Sequence, residues 1–157
     1  MIIGFTGTRN GLTDEQDEAL SELVNRLQPG EVHHGMCVGA DEAFHKIVVA
    51  GEYFVNIEGH PPTIPDHMME YNEEEFFKIH FPRPYLERNR DIVKQSQMLI
   101  ACPEGPEVIR SGTWSTIRYL KKHNWVKDHY IVWPSGLVEK NPDLLVGFIQ
   151  RGKRFKI

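Results

Sequence analysis

The chain has 157 residues, 40% of them hydrophobic and 25% charged, the size and composition of one globular domain rather than a disordered segment. Eighteen Lys and Arg against twenty-two Asp and Glu leave a formal net charge of −4, the wrong sign for gripping long nucleic acid by phosphate neutralisation, although a small anion held by local donors remains compatible. Cys37 and Cys102 sit in apolar or glycine-rich stretches and suggest no disulfide framework, and neither a leader pattern nor a run of about eighteen apolar residues is present. A cytoplasmic protein without a membrane segment is therefore expected.

Ile2 to Thr6 reads as a short apolar strand closed by Gly7, and Thr13 with Gln16 forms a capping-box pattern opening a helix whose stripe is Leu20, Leu23, Val24 and Leu27. Pro29 and Gly30 stop that helix. Glu31 to His34 reads as a second strand running through Gly35 and Gly39 into a helix from about Ala40 to Ala50. Tyr53 to Ile57 suggests a third strand, and the loop GHPPTIPDH should be irregular.

Further along, Pro84 suits the first turn of a helix carrying Leu86, Ile92 and Val93 inward and ending near Ser96. Met98 to Ala101 reads as a buried strand, Ser111 opens a helix to about His123, and Tyr130 to Trp133 is the last clear strand. The basic RGKRFK near the end reads as a solvated tail. Alternating short apolar strands and helices imply a single α/β domain over residues 1–157, Rossmann-like, with a mostly parallel sheet and helices on both faces. Ligands of such sheets bind outside the carboxyl ends of the strands.

Three segments concentrate Gly, Thr, Ser and Arg after expected strands: GFTGTRNG, HHGMCVGAD and RSGTWST. Glycine lets the backbone approach a phosphate, and amides at a following helix N-terminus bind anions. Gly7, Thr8 and Arg9 supply backbone donors, a hydroxyl and a guanidinium in succession, although a structural turn would use the same Gly-x-x-Gly spacing. Arg110, Ser111, Gly112 and Thr113 stand before a helix, where Ser111 either caps the helix or touches the ligand. Asp41, after Gly39 and Ala40, reads either as a helix-start residue or as a carboxylate in the site.

The histidines His33, His34, His45, His60 and His67 lack the paired spacings expected of zinc, so no metal or other cofactor is expected. His45, four residues after Asp41, shares its helical face and should pair with it or stand behind the site. Trp114, Phe76, Phe77, Phe81 and Tyr85 are candidates for stacking on a base, though most should serve the core or an interface.

The segments HGMCVGADEAFH, PYLERNRDIV and RSGTWSTIRY, in this order, resemble the SLOG superfamily of Rossmann-like nucleotide-binding domains over about residues 2–134. The second glycine loop and Arg88-Asn89-Arg90 resemble segments of DprA-type domains. Arg88 and the Gly112-Thr113 turn resemble the LOG-type phosphoribohydrolases. The resemblance implies a nucleotide or nucleotide-derived ligand and, for LOG-type members, hydrolysis of the N-glycosidic bond of nucleoside 5′-monophosphates. It also suggests a homo-oligomer.

One position departs from the LOG-type pattern: a catalytic glutamate is replaced by Thr116, whose hydroxyl cannot serve as a general base near neutral pH without activation. Asp41, Glu42, Glu87 and Asp91 are the available substitutes, with Asp41 and Glu87 preferred. Arg88 is the leading phosphate clamp, against an ion pair with Glu87 or Asp91, and Asn89 orients its loop. Two alternatives to a hydrolase follow: a non-catalytic sensor of a signalling nucleotide, and a DprA-like single-strand DNA binder, which the net charge opposes.

Overall fold

A computed structural model describes residues 1–123 and 127–142. Along the chain run β1 (Ile2–Gly7), α1 (Asp14–Leu27), β2 (Glu31–His34), α2 (Ala40–Ala50), β3 (Asn56–Gly59), β4 (Lys78–Ile79), α3 (Tyr85–Gln95), β5 (Met98–Cys102), α4 (Gly112–Lys122), β6 (Asp128–Val132) and β7 (Val138–Lys140). The strands form one sheet in the order β4-β3-β2-β1-β5-β6-β7. All neighbours are parallel except β6 and β7. The architecture is thus α/β and Rossmann-like, and among the described residues no helix is long and apolar enough to cross a membrane.

Alternation along each strand sorts side chains between two cores. Ile3, Phe5, Val32, Ile57, Ile100 and Val132 meet Leu20, Leu23 and Val24 of α1 and Phe44 and Val48 of α2. On the opposite face, Leu99, Ala101 and Ile131 meet Val93 of α3 and Trp114, Ile117 and Leu120 of α4. Helices on both faces explain why these strands read as nearly continuous apolar runs.

Local signals fix the helix ends. Thr13 accepts from the Gln16 amide at 3.0 Å while the Gln16 side chain accepts from the Thr13 amide, completing the capping box. The Gln16 amide group also donates to the carbonyls of Pro103 (3.0 Å) and Val132 (2.8 Å), clamping α1 to the ends of β5 and β6.

Several expectations shift. The third strand lies at Asn56–Gly59 rather than Tyr53–Ile57: Phe54 is exposed, and the Tyr53 hydroxyl donates to the Val24 carbonyl near the end of α1. Leu86 does not point inward but is exposed, because Arg88, Ile92 and Val93 occupy the buried face of α3. β4 and β7 escape the hydropathy pattern because each is only two or three residues long. β7 returns through a turn in which Gly136 takes φ +91° and donates to the Trp133 carbonyl. The basic RGKRFK segment lies outside the described residues.

Replacing Gln16 with Leu leaves two buried carbonyls without a donor. An unsatisfied buried polar group costs about 1–3 kcal/mol, so Gln16→Leu should lower unfolding free energy by about 2 kcal/mol or more in urea denaturation. An unchanged midpoint would show that solvent satisfies both carbonyls.

Candidate functional site

Strand order reverses at β1, so the chain leaves β1 toward β2 on one side and β5 returns on the other, opening a crevice at their carboxyl ends. The loops after β1, β2 and β5 and the start of α3 enclose a cavity of about 1220 Å³ there. Gly7, Thr8, Arg9, Gly35, Asp41, Arg88, Asn89, Arg110, Ser111, Gly112 and Thr113 all line it. Glu87 and Gly39 do not.

Arg88 forms the buried floor. Its Nη1 donates to the carbonyls of Gly35 and of His60 (2.9 Å), its Nη2 lies 3.6 Å from the Cys37 sulfur, and its guanidinium stacks 5.1 Å from the Tyr85 ring centre. Its Nε has no partner among the described residues. Gly35 is required because a Cβ there would collide with the Arg88 guanidinium. The alternative for Arg88, an ion pair with Glu87 or Asp91, does not form: Arg83 takes both, at 2.9 and 2.6 Å. Glu87 is thereby held on the exposed side of α3, so it is corrected from a site carboxylate to a surface partner of Arg83.

Asp41 is buried in the first turn of α2 and accepts from the Cys37 amide at 3.1 Å. Burial raises its pKa to about 6, against the opposing influence of Arg88 and the amides of Cys37 and Gly35. Gly39, the residue before α2, takes φ +92° and lies against the Arg9 backbone, where a Cβ would clash, so it shapes the neighbouring loop. Four amides of this second loop and the helix start have internal partners. Met36 donates to His34, Cys37 to Asp41, Val38 to the His67 carbonyl and Ala40 to the Thr8 carbonyl.

The opposite wall differs. Ser111 caps α4 by accepting from the Trp114 amide at 3.2 Å, which leaves the first amides of the helix, at Gly112 and Thr113, without intrahelical partners at the pocket wall. No acidic residue stands in the first turn of α4, whereas Asp41 and Glu42 stand in that of α2. With exposed Arg110 adjacent, α4 presents the anion-attracting helix end of the site. Thr116 donates its hydroxyl to the Gly112 carbonyl at 2.8 Å and is buried away from the cavity.

Arg9 reaches across the mouth, donating to the His67 ring (2.6 Å to Nδ1) and lying 5.4 Å from the Tyr85 ring centre. The Tyr85 hydroxyl is 2.5 Å from the same His67 nitrogen. The proline-rich loop delivers His67 by pairing with the loop after β2, where Cys37 bridges Met68. Of the stacking candidates, Tyr85 and Trp114 line the cavity, whereas Phe77 and Phe81 are exposed elsewhere and Phe76 stacks on His45.

Glu104 and Glu107, in the loop after β5, are carboxylates of the wall that sequence reasoning passed over. Glu104 accepts from the Asn10 side chain and the Thr8 hydroxyl. Their signal was available, since PEGPE directly follows the buried strand Met98–Cys102.

His45 does not pair with Asp41. It lies 3.0 Å from His34 and donates to Glu75 at 2.8 Å, so it belongs to a hydrogen-bonded row beneath the sheet end. The Met36 amide donates to His34 Nδ1, which fixes the direction of that row. Burial, followed by the charge of His45, pushes the His34 pKa well down. The four side chains able to gather around a cation, His33, Glu58, His60 and His80, line none of the cavity.

Because Asp41 is ionised less readily in the folded chain than at its ordinary value of 3.8, the native state holds the extra proton between 3.8 and about 6. Its contribution to stability therefore falls as pH rises through that window, by about 3 kcal/mol for a shift of this size. Asp41→Asn keeps an oxygen for the Cys37 amide and removes the ionisation. Its unfolding free energy relative to the unmodified chain should improve by up to about 3 kcal/mol between acid and neutral pH. Parallel pH profiles of the two proteins would show that Asp41 titrates normally.

No protein-family model matches the chain, and no curated protein matches it significantly. Among solved structures, the chain is similar to the molybdenum cofactor binding protein from the phototrophic bacterium Rippkaea orientalis, with a TM-score of 0.61 and 22% sequence identity over 92% of this chain and 78% of that one. At that identity the likeness concerns the fold.

Proposed function

We propose that the cavity binds a nucleotide or nucleotide-derived small molecule, its phosphate held by Arg110 and the first amides of α4 and its remaining body lying toward Tyr85 and Arg9. The observation that carries this reading is the acid-free start of α4, whose Gly112 and Thr113 amides lie before the Ser111-capped one, facing a cavity beside an arginine. A volume of about 1220 Å³ has room for such a ligand. The segment order resembling SLOG domains supports a nucleotide, and the neighbour described as a molybdenum cofactor binding protein supports a small-molecule ligand.

Arg88 acts here chiefly by positioning. Its Nη1 is engaged with two backbone carbonyls and its Nε is buried, so little of the guanidinium is open to a ligand. Truncating Arg88 would strip those carbonyls of their donor, so Arg110→Ala and Arg9→Ala, both of exposed residues, are the cleaner probes.

A second reading, hydrolysis of a nucleoside 5′-monophosphate at its N-glycosidic bond, is supported by one feature. Asp41 offers a carboxyl group in the cavity with a pKa of about 6, suited to proton transfer near neutrality. Thr116 cannot take that role, since its hydroxyl is bound to Gly112 and faces away from the cavity.

Mass spectrometry of small molecules released from purified protein, then calorimetry with nucleoside mono-, di- and triphosphates and the molybdenum cofactor, tests the binding reading. Charge-assisted hydrogen bonds are worth about 1.5–3 kcal/mol, so Arg110→Ala should weaken binding roughly ten- to hundredfold. No binding of any of these, or no effect of Arg110→Ala, would overturn it. Release of free base that Asp41→Asn abolishes would establish hydrolysis; binding without base release leaves a binding protein.

A further inference from the structure

We propose that His33, Glu58, His60 and His80 form a four-ligand site for a divalent transition metal, zinc fitting best, that pins β2, β3 and the segments after β3 and β4 together. This proposal stands independently of the ligand assigned to the cavity.

The sheet itself assembles the four. His33 and Glu58 are register partners on the parallel strands β2 and β3, so their side chains share a face. His60 directly follows β3, and His80 directly follows β4, which pairs with β3 through Gly59 and Ile79. One ligand atom from each residue lies within 4.8 Å of every other. His33 Nδ1 and His60 Nε2 are 2.8 Å apart, and His80 Nε2 is 2.7 Å from a Glu58 oxygen. Around a tetrahedral zinc with bonds of about 2.0 Å, donor atoms stand about 3.3 Å apart. The two close pairs need to part by roughly half an ångström and the others to draw in.

The surroundings suit a metal better than a plain hydrogen-bonded cluster. His33 uses its outer nitrogen, Nε2, to donate to Glu31 at 2.6 Å, which turns the lone pair of Nδ1 toward the other ligands. A carboxylate behind a ligating imidazole is a recurrent support in metal sites. Glu58 and Glu31 together balance a dication, and three neutral imidazoles with one carboxylate form a donor set zinc accepts. Stacking of His60 on His80, with ring centres 4.1 Å apart, holds two of the ligands side by side. His33 and His60 are buried and His80 and Glu58 only slightly exposed, so four protein donors leave no open coordination position. That makes the role structural.

The consequence reaches the cavity through His60, whose backbone carbonyl receives the Arg88 guanidinium. Fixing the His60 side chain fixes one of the two carbonyls that locate Arg88.

The test starts from the full chain stripped with chelator and dialysed against zinc chloride, with bound zinc counted by elemental mass spectrometry. Cobalt(II) then replaces zinc, and visible absorption reports the ligand geometry. The expected result is one zinc per chain and the intense visible bands of tetrahedral cobalt. Both should be lost in His80→Asn and Glu58→Gln, the two least buried ligands, and retained in the control His123→Ala. Glu31→Gln, which removes only the support behind His33, should weaken zinc binding about 10- to 100-fold without abolishing it. Circular dichroism confirms that each variant is folded; should His80→Asn or Glu58→Gln unfold, the cobalt spectrum of the unmodified chain decides. Substoichiometric zinc in the unmodified chain, octahedral cobalt bands, or unchanged uptake in folded His80→Asn and Glu58→Gln would overturn the proposal.

Discussion

The guanidinium of Arg88, buried beneath Gly35, ties the carboxyl end of β2 to the segment after β3 and to the start of α3. A buried cation is costly unless its donors are used, and here two main-chain carbonyls and an aromatic face receive it. The arrangement dictates residue types around it. Position 35 must be glycine because the side chain passes where a Cβ would be, and Asp41 lies within the influence of that charge. The glycine at 35 therefore answers to an arginine 53 residues away in sequence.

That constraint explains why two glycine-bearing loops of similar composition differ in chemistry. Between β2 and α2, Met36, Cys37, Val38 and Ala40 give their amides to His34, Asp41, and the carbonyls of His67 and Thr8, and the N-terminal field of α2 meets the acids Asp41 and Glu42. The loop before α4 has a serine cap for one amide and neither acid nor main-chain partner for the two before it. An anion thus has a favourable address on the α4 side and an unfavourable one beside α2. Composition alone, which counts Gly, Thr and Ser alike in both, carries no trace of this asymmetry.

Local rules were legible in the sequence where the governing interaction is local. The capping box of Thr13 and Gln16, the span Ala40–Ala50 and the serine start of α4 depend on contacts three or four residues apart, and each stands where its signature indicated. The convergence of the three loops followed from the strand–helix alternation. What stayed hidden depends on distant partners. The third strand begins later than its aromatics suggested because it continues through Glu58 and Gly59, and a strand whose one face carries a carboxylate facing His80 does not read as apolar. The cluster of His33, Glu58, His60 and His80 left no spacing signature because its members come from β2, β3 and the residues just after β3 and β4. Glu87 misled in the opposite sense: proximity to Arg88 in sequence says little on a helix, where adjacent residues project about 100° apart.

The same geometry bears on how a carboxyl group could act in the cavity. Asp41 is the buried one, held close to neutrality by desolvation, while Glu104 at the rim is exposed and already receives Asn10 and Thr8. Of the two, Asp41 in its buried setting is the acid suited to exchange a proton near neutral pH. Because Asp41 sits on the α2 side and the anion-attracting amides on the α4 side, a ligand with its phosphate at Arg110 would span from the helix end toward Asp41 across the switch point. The distance between phosphate and reacting bond in the ligand, more than any single residue type, then decides whether Asp41 meets a bond it can help to break.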